Sequence, residues 1–159
     1  MHIHVLNGGD FMCYLNSSNT KQMQNCACGN LRKTTRTITQ FYDRILQPTG
    51  LRSTQCSLLL DIFLNKNISV SGLGNLLLMD QSTATRNVEL LRKNGYIDIK
   101  KEQNDSRRRS ITITDKGLKK LEQAAPLWKE AQVKIEKGIG KDRFVELLKI
   151  LKDIEELVE

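Results

Sequence analysis

The chain has 159 residues, 39% hydrophobic and 27% charged, which suits one globular domain with its own core and excludes a collagen-like or wholly disordered polymer. No run of 18 or more apolar residues exists to span a membrane, and the first residues lack the basic-then-apolar order of a secretion signal, so a cytoplasmic address is expected. The net charge of +7 favours a polyanionic partner, and Cys13, Cys26, Cys28 and Cys56 are too few and too irregular for a disulfide scaffold, so reduced thiols are expected.

In chain order, residues 1–25 read as a loose tail, with the turn signal Asn7-Gly8-Gly9-Asp10, the polar run Asn16-Ser17-Ser18-Asn19 and no sustained period. From Leu31 the apolar positions Leu31, Ile38 and Ile45 recur at seven, with Thr35, Phe41, Tyr42 and Leu46 on the same side. That spacing predicts an amphipathic helix, ended by Pro48-Thr49-Gly50. A second helix follows, with Thr54 as its N-cap and Leu58, Leu59, Ile62 and Phe63 as its buried face, up to Asn65-Lys66-Asn67. Ser71 opens a short helix in which Leu73 and Leu77 share a face and Gly74 admits a close neighbour. Asp80 caps the next helix, Gln81 to Lys93, whose inward residues are Ala84, Val88 and Leu91, and Asn94-Gly95 stops it.

Two alternating strands come next, one carrying Ile97 and Ile99, the other Ile111 and Ile113, joined by a charged hairpin tip from Glu102 to Arg109. Thr114 caps a long helix with the stripe Leu118, Leu121, Ala125, Trp128 and Ile135, in which Pro126 is expected to introduce a kink. After Gly138-Ile139-Gly140 a last helix carries Phe144, Leu147, Leu148, Leu151, Ile154 and Leu157. Charge is unevenly spread along this order. Eight basic side chains stand against four acidic ones between Gln81 and Ser110, whereas four stand against six between Lys141 and Glu159.

Helix, short helix, turn, helix, strand, basic hairpin, strand is the order of a winged helix-turn-helix, and particular residues add to it. The run Leu73 to Gly95 (LGNLLLMDQSTATRNVELLRKNG), then Tyr96-Ile97, Asn104-Asp105-Ser106-Arg107-Arg108-Arg109 and Thr114-Asp115-Lys116-Gly117-Leu118, resembles the MarR family of regulators. The resemblance runs from Cys26 to Leu157 in element order. It implies a mainly α fold, a winged helix-turn-helix with a small β-hairpin wing, flanked by N- and C-terminal dimerisation helices. On that reading, residues 51–114 form the DNA-binding region and residues 26–50 with 115–159 the dimerisation region of a homodimer. The apolar stripes of the outer helices support this independently, since a reading head of that size cannot cover them. The chain departs from the family pattern where a small residue often stands in the turn before the recognition helix, because Leu77-Leu78-Met79 is wholly apolar.

A helix fits the major groove of B-DNA and its outward side reaches base edges. Ser82, Arg86 and Glu89 lie opposite the inward face, with Thr83 and Thr85 on its flanks. Arg86 is expected to read a guanine edge or hold a phosphate, and Ser82, Thr83 and Thr85 to contact backbone and bases near the helix start. Taken alone, such a face is as readily a solvated helix surface. In the wing, Arg107, Arg108 and Arg109 concentrate charge. The family pattern implies that Asp105 braces Arg107 and leaves a neighbouring arginine for the minor groove. The expected partner is double-stranded DNA bearing a pseudo-palindromic operator.

Cys26 and Cys28 stand at the start of the first helix beside Arg32 and Lys33, where a thiol ionises more readily, which makes them candidate redox sensors; buried or idle thiols are the plainer alternative. Cys56 is expected in the core. Cys-x-Cys lacks zinc-knuckle spacing and the two histidines, His2 and His4, lie in the tail, so no metal and no cofactor is expected. Family resemblance implies a small aromatic or phenolic effector as well. Phe41, Tyr42 and Trp128 are candidates to line its cavity, although aromatic residues on helical stripes are more often core. The chain shows no catalytic constellation, so an enzyme is not expected. A winged-helix protein-interaction module remains the rival class, distinguishable by an absent salt dependence towards DNA.

Overall fold

A computed structural model describes residues 17–101 and 109–158, arranged in two compact units, Met1–Gln40 and Phe41–Glu159. In the first unit α1 spans Ser17–Gln24, and α2, Ala27–Leu46, begins. The stretch expected to be a loose tail is therefore partly helical. Residues Lys21 to Asn30 are all exposed, and a helix that buries no face leaves no apolar period to read. The break between the two helices is held by Asn30, whose side-chain amide donates to the Gln24 and Cys26 carbonyls at 3.2 and 3.0 Å.

The second unit contains the end of α2, a 3₁₀ turn at Gln47–Thr49, α3 (Ser53–Leu64), β1 (Ile68–Ser69), α4 (Val70–Leu76), α5 (Gln81–Lys93), β2 (Ile97–Lys101), β3 (Arg109–Ile113), α6 (Asp115–Ile139) and α7 (Lys141–Val158). The three strands form an antiparallel sheet of order β1-β3-β2, with Ile99 opposite Ile111, and Ile111 opposite Ile68 on its other side. The core lies where this sheet meets the helices. Leu46, Leu51, Leu58, Leu59, Leu73, Leu91, Ile97 and Ile111 are each at most 2% exposed, and each such side chain contributes about 1.5–3 kcal/mol by leaving water.

Several boundaries differ from the sequence expectations for local reasons. Helix α3 starts before Thr54 because its first N–H groups are satisfied from elsewhere. The Asp43 carboxylate accepts from the Ser53 N–H at 2.7 Å, and Gln55 Oε1 accepts from the Arg52 N–H at 2.9 Å. Helix α4 starts at Val70, not Ser71, because Ser69 is the cap, its Oγ accepting from the Gly72 N–H at 2.9 Å. Strand β1 was not foreseen, since two residues carry no period; the free edge of β3 recruits them. Phe63, expected inside, is 43% exposed.

In α6 the buried positions are Gly117, Ala124 and Ala131; of the expected stripe, Leu121 packs against the core and Leu118 and Ile135 are half-buried, but Ala125 and Trp128 are exposed, so the deepest line lies one residue from the expected one. Small side chains at the contact let α6 pack close to the core, and leucine-based reading of a stripe overlooks them. The helix is continuous through Pro126, which is exposed. Helix α7 leaves Val145, Leu148 and Leu157 at 61, 52 and 83% exposure.

Candidate nucleic-acid interface

Helix α5 is fixed at both ends. At its start Asp80 is the N-cap, its carboxylate accepting the Thr83 N–H at 2.9 Å, the Thr83 hydroxyl at 2.6 Å and the Ser82 hydroxyl. The Ser82 hydroxyl first, then Thr83, hold the Asp80 carboxyl well below the usual carboxylate range. Beneath the helix, Gly74 of α4 lies against Ala84, where an added Cβ would stand 3.3 Å from the Ala84 Cβ. That close approach sets the angle between the two helices.

At its end, Asn94 is the C-cap and Gly95 takes φ 72°, a left-handed conformation that suits glycine. The first turn of α6 closes on this point. Lys116 Nζ donates to the Asn94 carbonyl at 2.7 Å and lies 5.3 Å from the centroid of the Tyr96 ring, while the Thr114 hydroxyl donates to the Gly95 carbonyl at 2.8 Å. A cation at the carbonyl end of a helix is favourably placed against its dipole.

Between these clamps Ala84, Val88 and Leu91 are buried at 1, 2 and 0% exposure, as the spacing predicts, and Ser82, Thr85 and Arg86 are exposed, with Thr83 half-buried. The hydroxyls are less free than the sequence suggests. Ser82 and Thr83 donate to Asp80, and Thr85 Oγ1 donates to the Gln81 carbonyl at 2.7 Å. Each keeps lone pairs but has committed its proton, so in this arrangement it offers an acceptor, suited to an exocyclic amine of adenine or cytosine rather than to a phosphate. Arg86 has no hydrogen-bond or ion-pair partner among the described residues and presents its guanidinium outward.

In the wing, Asp105, Arg107 and Arg108 lie outside the described residues. Arg109 opens β3, exposed and opposite Lys101, and Lys100 is exposed one step further along the ladder. A feature absent from the sequence expectations sits between wing and helix, where Glu89, Arg92, Ile99 and Arg109 line an open cleft of about 360 Å³. Glu89 takes two bonds from Arg92, from Nε at 2.9 Å and Nη2 at 2.6 Å. The Arg92 bonds lower the Glu89 carboxyl below its ordinary range. The opposite charges three apart on one helix were the legible signal.

Of the candidate sensors, Cys26 and Cys28 are both exposed, and Arg32 Nη2 approaches Cys28 Sγ at 3.9 Å. Cys56 is in the core, and burial pushes its thiol up. Tyr42 donates to Gln132 Oε1 at 2.7 Å, Gln132 donates onward to Glu136 at 3.2 Å, and burial, then Glu136, raises the Tyr42 hydroxyl above its ordinary range. Trp128 is 46% exposed. Among the described residues no helix is long and apolar enough to cross a membrane, and no three His, Cys, Asp or Glu side chains converge as a metal site.

Comparison with known proteins agrees with this geometry. Residues 51–109 match the model of the MarR family. The HTH-type transcriptional regulator BilQ of Clostridioides difficile is 28% identical over 122 residues, 75% of this chain and 82% of that one. The M. tuberculosis transcriptional regulator MosR, solved in complex with DNA, is 31% identical, with a TM-score of 0.72 over 84% of this chain and 99% of that one. CouR, a transcriptional repressor solved on a 23-mer DNA duplex, shares the fold with a TM-score of 0.77 at 19% identity over 84% of this chain and 95% of that one. A capped reading helix, a basic hairpin and relatives matched over nearly their whole length make this chain a member of the MarR family of winged helix-turn-helix transcription regulators.

Proposed function

We propose that the protein is a homodimeric, sequence-specific DNA-binding regulator that acts as a repressor and is released by a small ligand or by thiol oxidation. The observation that carries the DNA reading is Arg86, exposed on a helix whose opposite face is locked in the core and whose ends are both capped. A guanidinium so placed matches the paired acceptors of a guanine edge in the major groove. MosR and CouR were each solved on DNA, which supports the same partner here. The apolar residues exposed along α7 support a second copy as their cover. Two reading heads then address half-sites about one helical turn apart, roughly 10 bp.

The experiment is selection of duplexes from a random pool by the full chain, followed by footprinting of the selected sequence. Arg86→Ala should cost about 1–3 kcal/mol in binding and relax the preference at one position of each half-site. An unchanged footprint with unchanged affinity would remove Arg86 from this role. Binding that is absent at low ionic strength would instead favour a protein-interaction module.

For release, the exposed pair Cys26 and Cys28 supports the oxidation route. Peroxide treatment should lower DNA binding of the unaltered chain and spare a Cys26→Ser, Cys28→Ser variant; equal release of both would leave the small-ligand route.

A further inference from the structure

We propose that the cleft between α5 and the wing seats one phosphate of the DNA backbone, held by Arg92 and Arg109, with Glu89 orienting Arg92 and limiting how tightly the phosphate binds. The proposal rests on the DNA-binding reading above and adds two residues to it.

Around α5, Thr85, Glu89 and Arg92 recur at four and three, which places them along one flank, a quarter-turn or so from the outward residue Arg86. That flank faces the wing, because Ile99 and Arg109 form the other wall of the cleft. A protein that lays α5 in a major groove and its hairpin in the adjacent minor groove must straddle the sugar-phosphate strand dividing them. The cleft is the space between those two parts.

Its charges suit that strand. Arg92 spends Nε and one bond of Nη2 on Glu89, and its Nη1, with two N–H donors, has no partner among the described residues. Arg109 is exposed and also without a hydrogen-bond or ion-pair partner among the described residues. Among the described lining residues, two guanidiniums against one carboxylate leave a single positive charge, which one phosphodiester balances, and the planar fork of arginine fits phosphate oxygens in pairs. Glu89 has two opposed effects. Its bonds hold Arg92 against the helix, aimed along the flank, and its own negative charge repels the incoming phosphate.

The two partners of this ion pair should therefore respond with opposite signs. Using the duplex selected by the protein, Arg92→Ala should weaken binding about tenfold and lower the slope of log affinity against log salt by roughly 0.9, the loss of one phosphate. Arg92→Lys should restore the slope but not the full affinity. Glu89→Gln should bind a few-fold more tightly. Thermal melting of each variant shows whether it is folded. A merely structural surface pair would leave all three with the affinity and salt slope of the unaltered chain, and that result, or weaker binding by Glu89→Gln, overturns the proposal. Failure of the unaltered chain to bind any duplex would instead strike the DNA reading on which it rests.

Discussion

Gly117 in the first turn of α6 lies so close to the Tyr96 carbonyl oxygen that no side chain fits between them. A Cβ there would meet that oxygen and would stand 2.9 Å from Ile113 Cγ1. The contact joins the end of the recognition helix to the start of α6, because Tyr96 also accepts the Thr114 N–H at 3.0 Å. Gly117→Ala is expected to destabilise the fold by about 2–3 kcal/mol, since backbone cannot move aside as a flexible side chain would. Urea denaturation measures this, and a loss below about 0.5 kcal/mol would show that the joint is loose.

Two left-handed residues flank α5 and predict changes of opposite sign. Leu78 holds φ 50° and Gly95 φ 72°. A leucine in that region costs roughly 1–2 kcal/mol, of which the entropy of a glycine would return about half. Leu78→Gly should thus stabilise the protein by about 0.5–1 kcal/mol, while Gly95→Ala should cost about 1 kcal/mol. A lower denaturant midpoint for Leu78→Gly would contradict the left-handed strain at Leu78, and an unchanged or higher one for Gly95→Ala would contradict the left-handed conformation at Gly95.

Acid should act on the ends of the helices. Asp80 and Asp43 are both held below the ordinary carboxylate range, Asp80 by the Ser82 and Thr83 donors, Asp43 by Ser53 and Arg52 bonds that outweigh its burial. Carboxyls depressed on folding stabilise the native state above their unfolded pKa, near 4, and this contribution fades as pH falls through their lower folded values. Asp61, raised by burial, works in the opposite direction. Protection against hydrogen exchange at the start of α5, measured relative to the intrinsic exchange rate at each pH, should fall below about pH 4, and Asp80→Asn, which caps without titrating, should flatten that dependence. Persistence of the same acid response in Asp80→Asn would assign it to another group.

The exposed face of α7 carries the dimer proposal. Val145 and Leu148 stand three apart at 61 and 52% exposure, on one side of the helix. Val145→Asp with Leu148→Asp should leave the winged core folded, because neither residue belongs to it, yet shift the sedimenting species to a monomer and weaken binding to a two-half-site duplex. A variant that still sediments as the unaltered chain does would place the interface elsewhere.

Local chemistry was legible wherever the deciding groups were neighbours in the chain. Asp80 and Thr114 as caps, the inward set Ala84, Val88 and Leu91, the stop at Asn94-Gly95 and the two longer strands all follow from spacing of a few residues. Tertiary structure decided what depended on distant partners. It started α3 early by bringing Asp43 to Ser53, put Gly117, Ala124 and Ala131 deepest in α6 and left Ala125 and Trp128 outside, and made a strand of Ile68–Ser69 by offering the edge of β3. It also set Arg92 across from Arg109. A sequence states which side chains can donate, accept or repel; only the folded chain determines which of them are close enough to do so, because these forces act over a few ångströms and the chain returns to itself from tens of residues away.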